Sequence, residues 1–502
     1  MLKNLVETAA LIDPNRTVLH HHGERIAIGE LVTRANRLAR VLHDKGAEHC
    51  VYVGVNGPSV PLALFASVLA GIPFAPLNYR LSTAQRDALL ARIASPLVIA
   101  EPAAGAGGTA VTPDQWWDMG TEGTAGAGPL DEVDHRTIAT VLFTSGTISA
   151  PKAVPLRHHN LAAYLLNTIE LMGAAPGEAA LISVPPYHVA AIGATLTNLL
   201  SGRRIVYLPG FSPAEWLATV AAEGITSAML VPTMLARIVE HLDGDRLTSS
   251  TLRSLAYGGA RITHDLLAKA LAAFPEADFT NAYGLTETAS TIAVLGPDDH
   301  RDALAEGATP QQRARLGSVG RAIPGIEFLV RDEDGSPVPP GTPGSLFVRG
   351  DQVSGEYLGQ QAGVDPDGWF ATRDGAWLDE DGYLFIAGRT DDTIIRGAEN
   401  IAPAEIEDVL TAHPQVTDAA VFGVPDEEWG ERVVAAVVTA AAGVDATELR
   451  EWVRTRLRSS RTPDEVVFSP ELPYRPTGKL LRRELAARFT ATTTSKSGRE
   501  HG

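Results

Sequence analysis

The segment Thr144-Ser145-Gly146-Thr147-Ile148-Ser149-Ala150-Pro151-Lys152 has the composition of a phosphate cradle. It follows a largely apolar run, Ile138 to Phe143, that reads as a buried strand. Backbone N–H groups and the hydroxyls of Thr144, Ser145 and Thr147 can donate to phosphate oxygens, and Lys152 adds a cation. Ser/Thr/Gly loops are common, so this one gains meaning from four further motifs that follow in order.

The second is Asn281-Ala282-Tyr283-Gly284-Leu285-Thr286-Glu287. Tyr283 offers a flat face for a purine, Asn281 a hydrogen bond to an adenine amine, and Glu287 a hard oxygen for Mg²⁺. The alternative is a strand end with an exposed carboxylate. The third, Thr372-Arg373-Asp374-Gly375, places a carboxylate where it can accept both hydroxyls of a ribose, or simply form an Asx turn. The fourth runs from Gly388-Arg389-Thr390-Asp391 through Gly397 to Glu407. Arg389 and Asp391 fall where the composition changes, which suits either a hinge or a charged linker. Its end reads as a helix start, with Pro403 in the first turn and Glu405 and Glu407 near the N-terminus. The fifth, Pro473-Tyr474-Arg475-Pro476-Thr477-Gly478-Lys479-Leu480, carries a Lys on a Gly/Pro loop that can swing into a cleft or stay solvated.

The elements that must position these groups alternate. Glu30 to His43 has helical spacing, Val51 to Val55 reads as a strand, Pro61 to Leu69 as an apolar helix and Ile72 to Pro76 as a strand. The pattern resumes with strands at Ala180–Val184, Arg204–Leu208, Ser227–Val231 and Leu255–Tyr257, which predicts βαβ units and a mainly parallel sheet. Residues 103–130, rich in Gly and Ala, read as a surface loop. From Gly317 to Ala387, turn signals such as Asp334-Gly335 and Asp381-Gly382 separate short alternating strands, which predicts a β-rich subdomain. A smaller α+β unit follows, with helices at Pro403–His413 and Ala446–Leu457 and strands at Ala419–Val424 and Val433–Thr439. A disordered tail is expected from Ala491. Adjacent His20, His21 and His22 cannot all share one face, so a solvated turn is expected there.

The chain has 502 residues, more than one ordinary core can serve. A 45% apolar and 20% charged composition is that of a globular protein. A formal net charge of −18 argues against non-specific nucleic-acid binding. Cys50 is the single cysteine, which excludes an intrachain disulfide or a cysteine-based metal site and suits a cytoplasmic protein. No stretch reads as a signal peptide or approaches the roughly 20 apolar residues of a membrane span.

Taken together, the five motifs resemble the adenylate-forming superfamily, which includes acyl-CoA synthetases, nonribosomal-peptide adenylation domains and firefly-type luciferases. The likeness spans about residues 25–488. It implies an α/β fold: a large N-terminal domain (1–390) of βα sheets with a β-barrel subdomain (about 317–388), a small mobile C-terminal α+β domain (391–490), and the tail 491–502. It further implies ATP, Mg²⁺ and coenzyme A as ligands. By resemblance, Thr144, Ser145, Gly146, Thr147 and Lys152 hold the ATP phosphates, Asn281 and Tyr283 contact the adenine, and Gly259, Ala260, Ala282 and Gly284 belong to the nucleotide site. Thr286 contacts phosphate, Glu287 the metal, and Asp374 the ribose, with Arg389 assisting. Asp391 is the hinge, Lys479 the catalytic lysine of adenylation, and Gly397 and Ala398 border the pantetheine tunnel. Glu287, Thr147 and His188 complete the catalytic set.

The chain departs from the family pattern in three places. Ile148 and Ser149 stand where Thr and Gly are usual, Arg373 where Gly is usual, and Ser345 where Glu is usual. Pro185-Pro186-Tyr187-His188-Val189-Ala190-Ala191-Ile192-Gly193 resembles the family's aromatic gate and pocket wall. His188 stands where amino-acid-activating relatives carry Asp, which disfavours an amino acid. Tyr187, His188, Ala190, Ala191, Gly193 and Gly258 are expected to line an acyl pocket for a hydrophobic carboxylic acid. The small residues could equally serve close helix packing. The expected reaction is acyl-CoA formation through acyl-AMP. The alternatives are loading of an acyl carrier protein, or a degenerate nucleotide-binding homologue. A homodimer is left open.

Overall fold

The computed structural model describes residues 1–101, 110–121, 130–144, 151–247, 251–360, 363–389, 392, 394–396, 399–426, 430–440, 444–457, 459–474, 480–482 and 484–489. Its largest sheet has nine strands, in the order Arg321–Ala322, Ser290–Leu295, Asp278–Leu285, Ser254–Gly258, Ser227–Leu230, Ala179–Ile182, Arg204–Tyr207, Thr17–His21 and Glu24–Ala27. The five central strands, from Asp278–Leu285 to Arg204–Tyr207, are mutually parallel. That follows from the helices that separate them in the chain, because a parallel pair needs a crossover.

A second sheet orders Pro96–Ala100, His49–Val53, Phe74–Pro76, Ile138–Thr144 and Lys152–Arg157. Its last two strands are antiparallel, so the phosphate-loop candidate joins the two arms of a hairpin. Helix Ile28–Asp44 buries Leu31, Ala35, Leu38 and Leu42, the i, i+4, i+7 stripe of its sequence. Helix Ser59–Ala70 is buried on every side, as its mainly apolar composition requires, and Gly71 ends it at φ +69°.

The expected loop at 103–130 contains a helix, Pro113–Thr121, with Trp116 and Trp117 buried. Its short amphipathic pattern is hidden in sequence between Gly/Ala-rich flanks. The β-rich stretch forms a four-stranded antiparallel sheet of Glu327–Arg331, Gly344–Arg349, Phe370–Leu378 and Leu384–Arg389. Among the described residues its first and last strands do not pair.

The C-terminal part is an α+β unit. Strands Glu399–Ile401, Ile394–Arg396, Gly430–Thr439 and Val416–Asp426 lie in that order, with Glu465–Phe468 parallel to Gly430–Thr439. Its two apolar clusters draw only on residues from Ile394 onward, so it has cores of its own. The Arg261 guanidinium bridges from the larger part, donating to the Ala404 carbonyl at 3.1 Å and pairing with Asp408.

Candidate active site

Thr144 and Lys152 face each other at the loop end of the hairpin, and Thr144 Oγ1 lies 3.5 Å from the Lys152 carbonyl oxygen. Ser145, Gly146, Thr147, Ile148 and Ser149 fall outside the described residues. The Lys152 ammonium sits 4.5 Å from the centre of the Tyr357 ring. The Tyr357 hydroxyl donates to Glu287 Oε1 at 2.8 Å. Two motifs more than a hundred residues apart are thus joined through one aromatic ring.

The chain after the Gly344–Arg349 strand makes that meeting possible. Ser354 and Gly355 donate their backbone N–H groups to the Glu287 carbonyl at 2.8 and 3.2 Å. The Ser354 hydroxyl donates to the Pro155 carbonyl at 2.5 Å, and Leu358 N–H to the Ala153 carbonyl at 2.9 Å. Residues 354–358 are therefore laced between the Lys152–Arg157 strand and the 3₁₀ turn Thr286–Thr288 that carries Thr286 and Glu287. With one oxygen of Glu287 held by a phenol, the carboxylate is a hard, oriented oxygen donor of the kind Mg²⁺ takes.

Asn281, Ala282, Tyr283 and Gly284 lie on the strand Asp278–Leu285. The Tyr283 hydroxyl donates to Asp374 Oδ2. Asp374 is buried at 5% exposure, and its backbone N–H donates to Thr372 Oγ1 at 3.1 Å. Thr372 Oγ1 in turn donates to the Leu346 carbonyl at 2.9 Å. Across the ladder Asp374 pairs with Arg389. Asn281 Nδ2 donates to the Ser318 carbonyl at 3.4 Å. A Cβ on Gly284 would stand 1.9 Å from the Ser290 carbonyl oxygen, so this position tolerates only glycine. Gly259, at φ +82°, and Ala260 follow the neighbouring strand Ser254–Gly258. Arg373, which replaces the family's usual Gly, adopts φ +64°. That left-handed conformation is the one glycine adopts without strain.

Lys479, Asp391, Gly397 and Ala398 lie outside the described residues. The loop bearing Lys479 springs from a bridge between Tyr474 and Leu480, and the Tyr474 hydroxyl holds both oxygens of Asp418 at 3.0 and 2.9 Å. Beside Asp391, Asp392 lies 3.4 Å from Arg482, which also forms a 2.7 Å pair with Glu407.

Tyr187 and His188 are stacked obliquely at 4.4 Å, with Tyr79 edge-on to Tyr187 at 5.8 Å. Burial, and then the Arg80 charge, push the His188 imidazole down to about 4, so it is neutral near pH 7. Neither Tyr79 nor Arg80 was singled out by the sequence, because nothing local marks them as neighbours of His188.

A cavity of about 230 Å³ lies between the helix Val189–Ser201 and the large sheet, and neither Tyr187 nor His188 lines it. Ala190, Ala194, Thr197 and Asn198 form its helical wall at i, i+4, i+7 and i+8. Ala180, Ser227, Ala256 and Ala282 lie on its sheet wall. Small side chains on both walls leave the hollow. Of the expected pocket residues, Ala190 lines it. Ala191 is buried at 3% exposure and does not line it. Gly193 packs the helix against Ser290, whose Oγ would lie 2.8 Å from a Cβ there. Gly258 closes on Ala282, whose carbonyl oxygen would lie 2.1 Å from a Cβ. At those two glycines the close-packing explanation accounts for the residue.

His21 and His22 converge with Asp114, their ligand atoms within 4.8 Å of one another, while His20 lies near Arg204 and Glu223. The turn His22-Gly23, with both residues at positive φ, swings the second ring back over the first. No described helix is long and apolar enough to cross a membrane.

A parallel α/β body, a lysine-tipped hairpin, an anchored Glu287 and a separate C-terminal unit together define an adenylate-forming enzyme. The AMP-binding enzyme family matches residues 6–358, and the AMP-binding enzyme C-terminal domain matches residues 405–479. The chain belongs to this family and is an acid–thiol ligase by class. It is 34% identical to a feruloyl-CoA synthase from Amycolatopsis sp, over 96% of this chain and 97% of that protein. It is 31% identical to the fatty acid–[acyl-carrier-protein] ligase ScoC of Streptomyces coeruleorubidus, over 99% and 98%. Among solved structures, ATP-bound MatB from Rhodopseudomonas palustris superposes with a TM-score of 0.86 at 27% identity, covering 97% of this chain and 99% of that one. O-succinylbenzoate CoA synthetase from Bacillus subtilis, in complex with its acyl-adenylate intermediate, gives 0.81 at 26%, covering 96% and 97%.

Proposed function

We propose that this chain is an ATP-dependent acyl-CoA ligase that activates an elongated, largely hydrophobic carboxylic acid. One observation carries the reading: the segment Asp278 to Thr288 is tied into two phenol–carboxylate bonds, its Tyr283 donating to Asp374 and its Glu287 accepting from Tyr357. In this reading Asp374 receives the ribose hydroxyls, with Arg389 assisting from the next strand. Tyr283 and Asn281 border the adenine. Glu287 would hold Mg²⁺, which supplies positive charge against the phosphates. Thr144 to Thr147 and Lys152 hold the β- and γ-phosphates.

In the first half-reaction a carboxylate oxygen of the acid bonds to the α-phosphorus and the bond to pyrophosphate breaks, giving acyl-AMP. Lys479, arriving from the small unit, offsets the charge that builds on the phosphorus; positioning and electrostatics do most of the work in such substitutions. In the second, a thiol of coenzyme A loses its proton and attacks the acyl carbonyl, and AMP leaves. A turn of the small unit about Asp391 brings Gly397 and Ala398 to the thiol's path. Neutral His188 precedes the helix whose Ala190 and Ala194 line the cavity that takes the acyl group.

The likeness to a carrier-protein ligase supports a second reading, in which the acceptor is a carrier-bound pantetheine thiol. The test is acid-dependent pyrophosphate release across aliphatic, aromatic and polycyclic acids, followed by addition of each thiol to the isolated adenylate. Release with no acid of any class would end the ligase reading, and transfer only to carrier protein would select the second acceptor.

A further inference from the structure

The cavity does not stop at the apolar middle of the sheet. Its lining reaches from Ala282, which is in register with Gly258, back to Ser254 and Ser227, which are in register with each other. Four residues of strand separate the two ends, roughly 13 Å at a strand's usual rise. The end near Ala190 and Ala282 lies on the side of the candidate nucleotide residues. The other end opens at the N-terminal edge of the parallel strands.

That far end is polar. Arg203, Asn198, Ser227 and Ser254 all line it. Arg203 Nε donates to Glu178 at 2.6 Å and Nη1 to Ser201 Oγ at 3.4 Å, which leaves Nη2 without a hydrogen bond among the described residues. Among the same residues the Ser227 and Ser254 hydroxyls make no hydrogen bond. The middle of the cavity offers mainly Ala180, Ile182, Ala194, Ala256 and Met229. Unused donors at one end of an apolar channel fix the orientation of what enters it. Glu178 already balances the Arg203 charge, so the group best matched is a neutral oxygen acceptor and not a second carboxylate.

We infer that the far end is a binding subsite for an uncharged oxygen substituent. The preferred acid is then rod-shaped, with its carboxylate at one end, an apolar body, and a hydroxyl, methoxy or keto oxygen at the other. This rests on the ligase reading and names the substrate class within it.

The experiment compares acids of matched length with and without the remote oxygen: cinnamic against 4-hydroxycinnamic acid, and decanoic against 10-hydroxydecanoic acid. The ratio of kcat/KM within each pair, read from pyrophosphate release, is expected to favour the oxygenated acid about tenfold or more, as for a site left with unpaired donors by the other acid. In the double variant Ser227→Ala/Ser254→Ala and in Arg203→Met the ratio falls towards one, with thermal melting confirming that each variant is folded. Calorimetric binding of the same acids alongside a non-hydrolysable ATP analogue reads the subsite without turnover. Equal kcat/KM within both pairs, or a ratio unchanged in both variants, overturns the subsite and leaves the ligase standing. Absence of pyrophosphate release and of binding with every acid overturns the ligase reading itself.

Discussion

The Tyr357 hydroxyl donates to Glu287 Oε1 at 2.8 Å while the same ring lies 4.5 Å beneath the Lys152 ammonium. A hydrogen bond to a charged group contributes on the order of 1.5–3 kcal/mol. Removing it frees the Glu287 side chain to turn away from the proposed metal position. Tyr357→Phe keeps the ring under Lys152 and deletes only the donor. Its pyrophosphate-release kcat/KM is expected to drop by about tenfold to a hundredfold, with the loss partly recovered at high Mg²⁺. Tyr357→Leu, which also removes the ring, should cost more. Equal activity of Tyr357→Phe and the unchanged enzyme at limiting Mg²⁺ would show that Glu287 needs no such support.

Arg373 occupies φ +64° directly before the buried Asp374. A left-handed backbone costs an L-residue about 1–2 kcal/mol that glycine does not incur. Arg373→Gly and Arg373→Ala lose the same side chain, so the difference between them isolates the backbone. The Gly variant is expected to be more stable than the Ala variant by about 1 kcal/mol in chemical denaturation. A more stable Ala variant would mean that the backbone relaxes once the arginine is gone.

What the sequence disclosed follows from distance along the chain. Groups that lie within one segment, such as Thr144 with Lys152 or Asn281 through Glu287, are legible as candidates because their spacing is local. Tyr357 was not, because it meets Glu287 only after residues 354–358 lace between two sheets. The Tyr283–Asp374 bond likewise needs the small antiparallel sheet to be placed against the large one. The cavity shows the same limit: Ala190 was visible beside the His188 motif, whereas Ala256, Ser227 and Ser254 join it only through strand register. Gly193 and Gly258 look like space for a ligand in sequence, but neighbouring backbone and Ser290 take that space. The helix Pro113–Thr121 escaped notice because its low-complexity flanks dominate the local composition.

His158 is fully buried, and among the described residues neither ring nitrogen has a hydrogen-bond partner. Burial pushes its imidazole from the ordinary 6.5 down to about 4. The folded state thus binds a proton less readily than the unfolded chain. Stability from the neutral ring is fully present above pH 6.5 and is lost as pH falls through that value towards 4. His188, also held at about 4, adds a loss of the same sign. The melting temperature is expected to decline between pH 6.5 and 4.5, with a shallower slope in His158→Phe. An unchanged slope in that variant would place the acid sensitivity elsewhere.

Arg261 reaches across to the C-terminal unit, donating to the Ala404 carbonyl at 3.1 Å and pairing with Asp408. Both partners lie on the helix Pro403–Thr411, beyond the proposed pivot at Asp391. In the proposed rotation of the small unit this contact breaks, which would favour one of the two half-reaction poses. The pair is substantially exposed, at 49% and 46%, and such pairs contribute about 1 kcal/mol or less. Arg261→Ala is therefore expected to change the ratio of adenylation to thioester formation by no more than about fivefold. In the proposed mechanism Lys479→Ala acts on chemistry, not on pose. It should abolish most acid-dependent pyrophosphate release while leaving conversion of preformed acyl-AMP to thioester largely intact. Measured side by side, the two variants separate an effect on rotation from an effect on the α-phosphate. If Lys479→Ala slowed both half-reactions equally, the lysine would not be the group that closes over the nucleotide. If Arg261→Ala left the ratio untouched, its contact with Asp408 would be present in both poses or in neither.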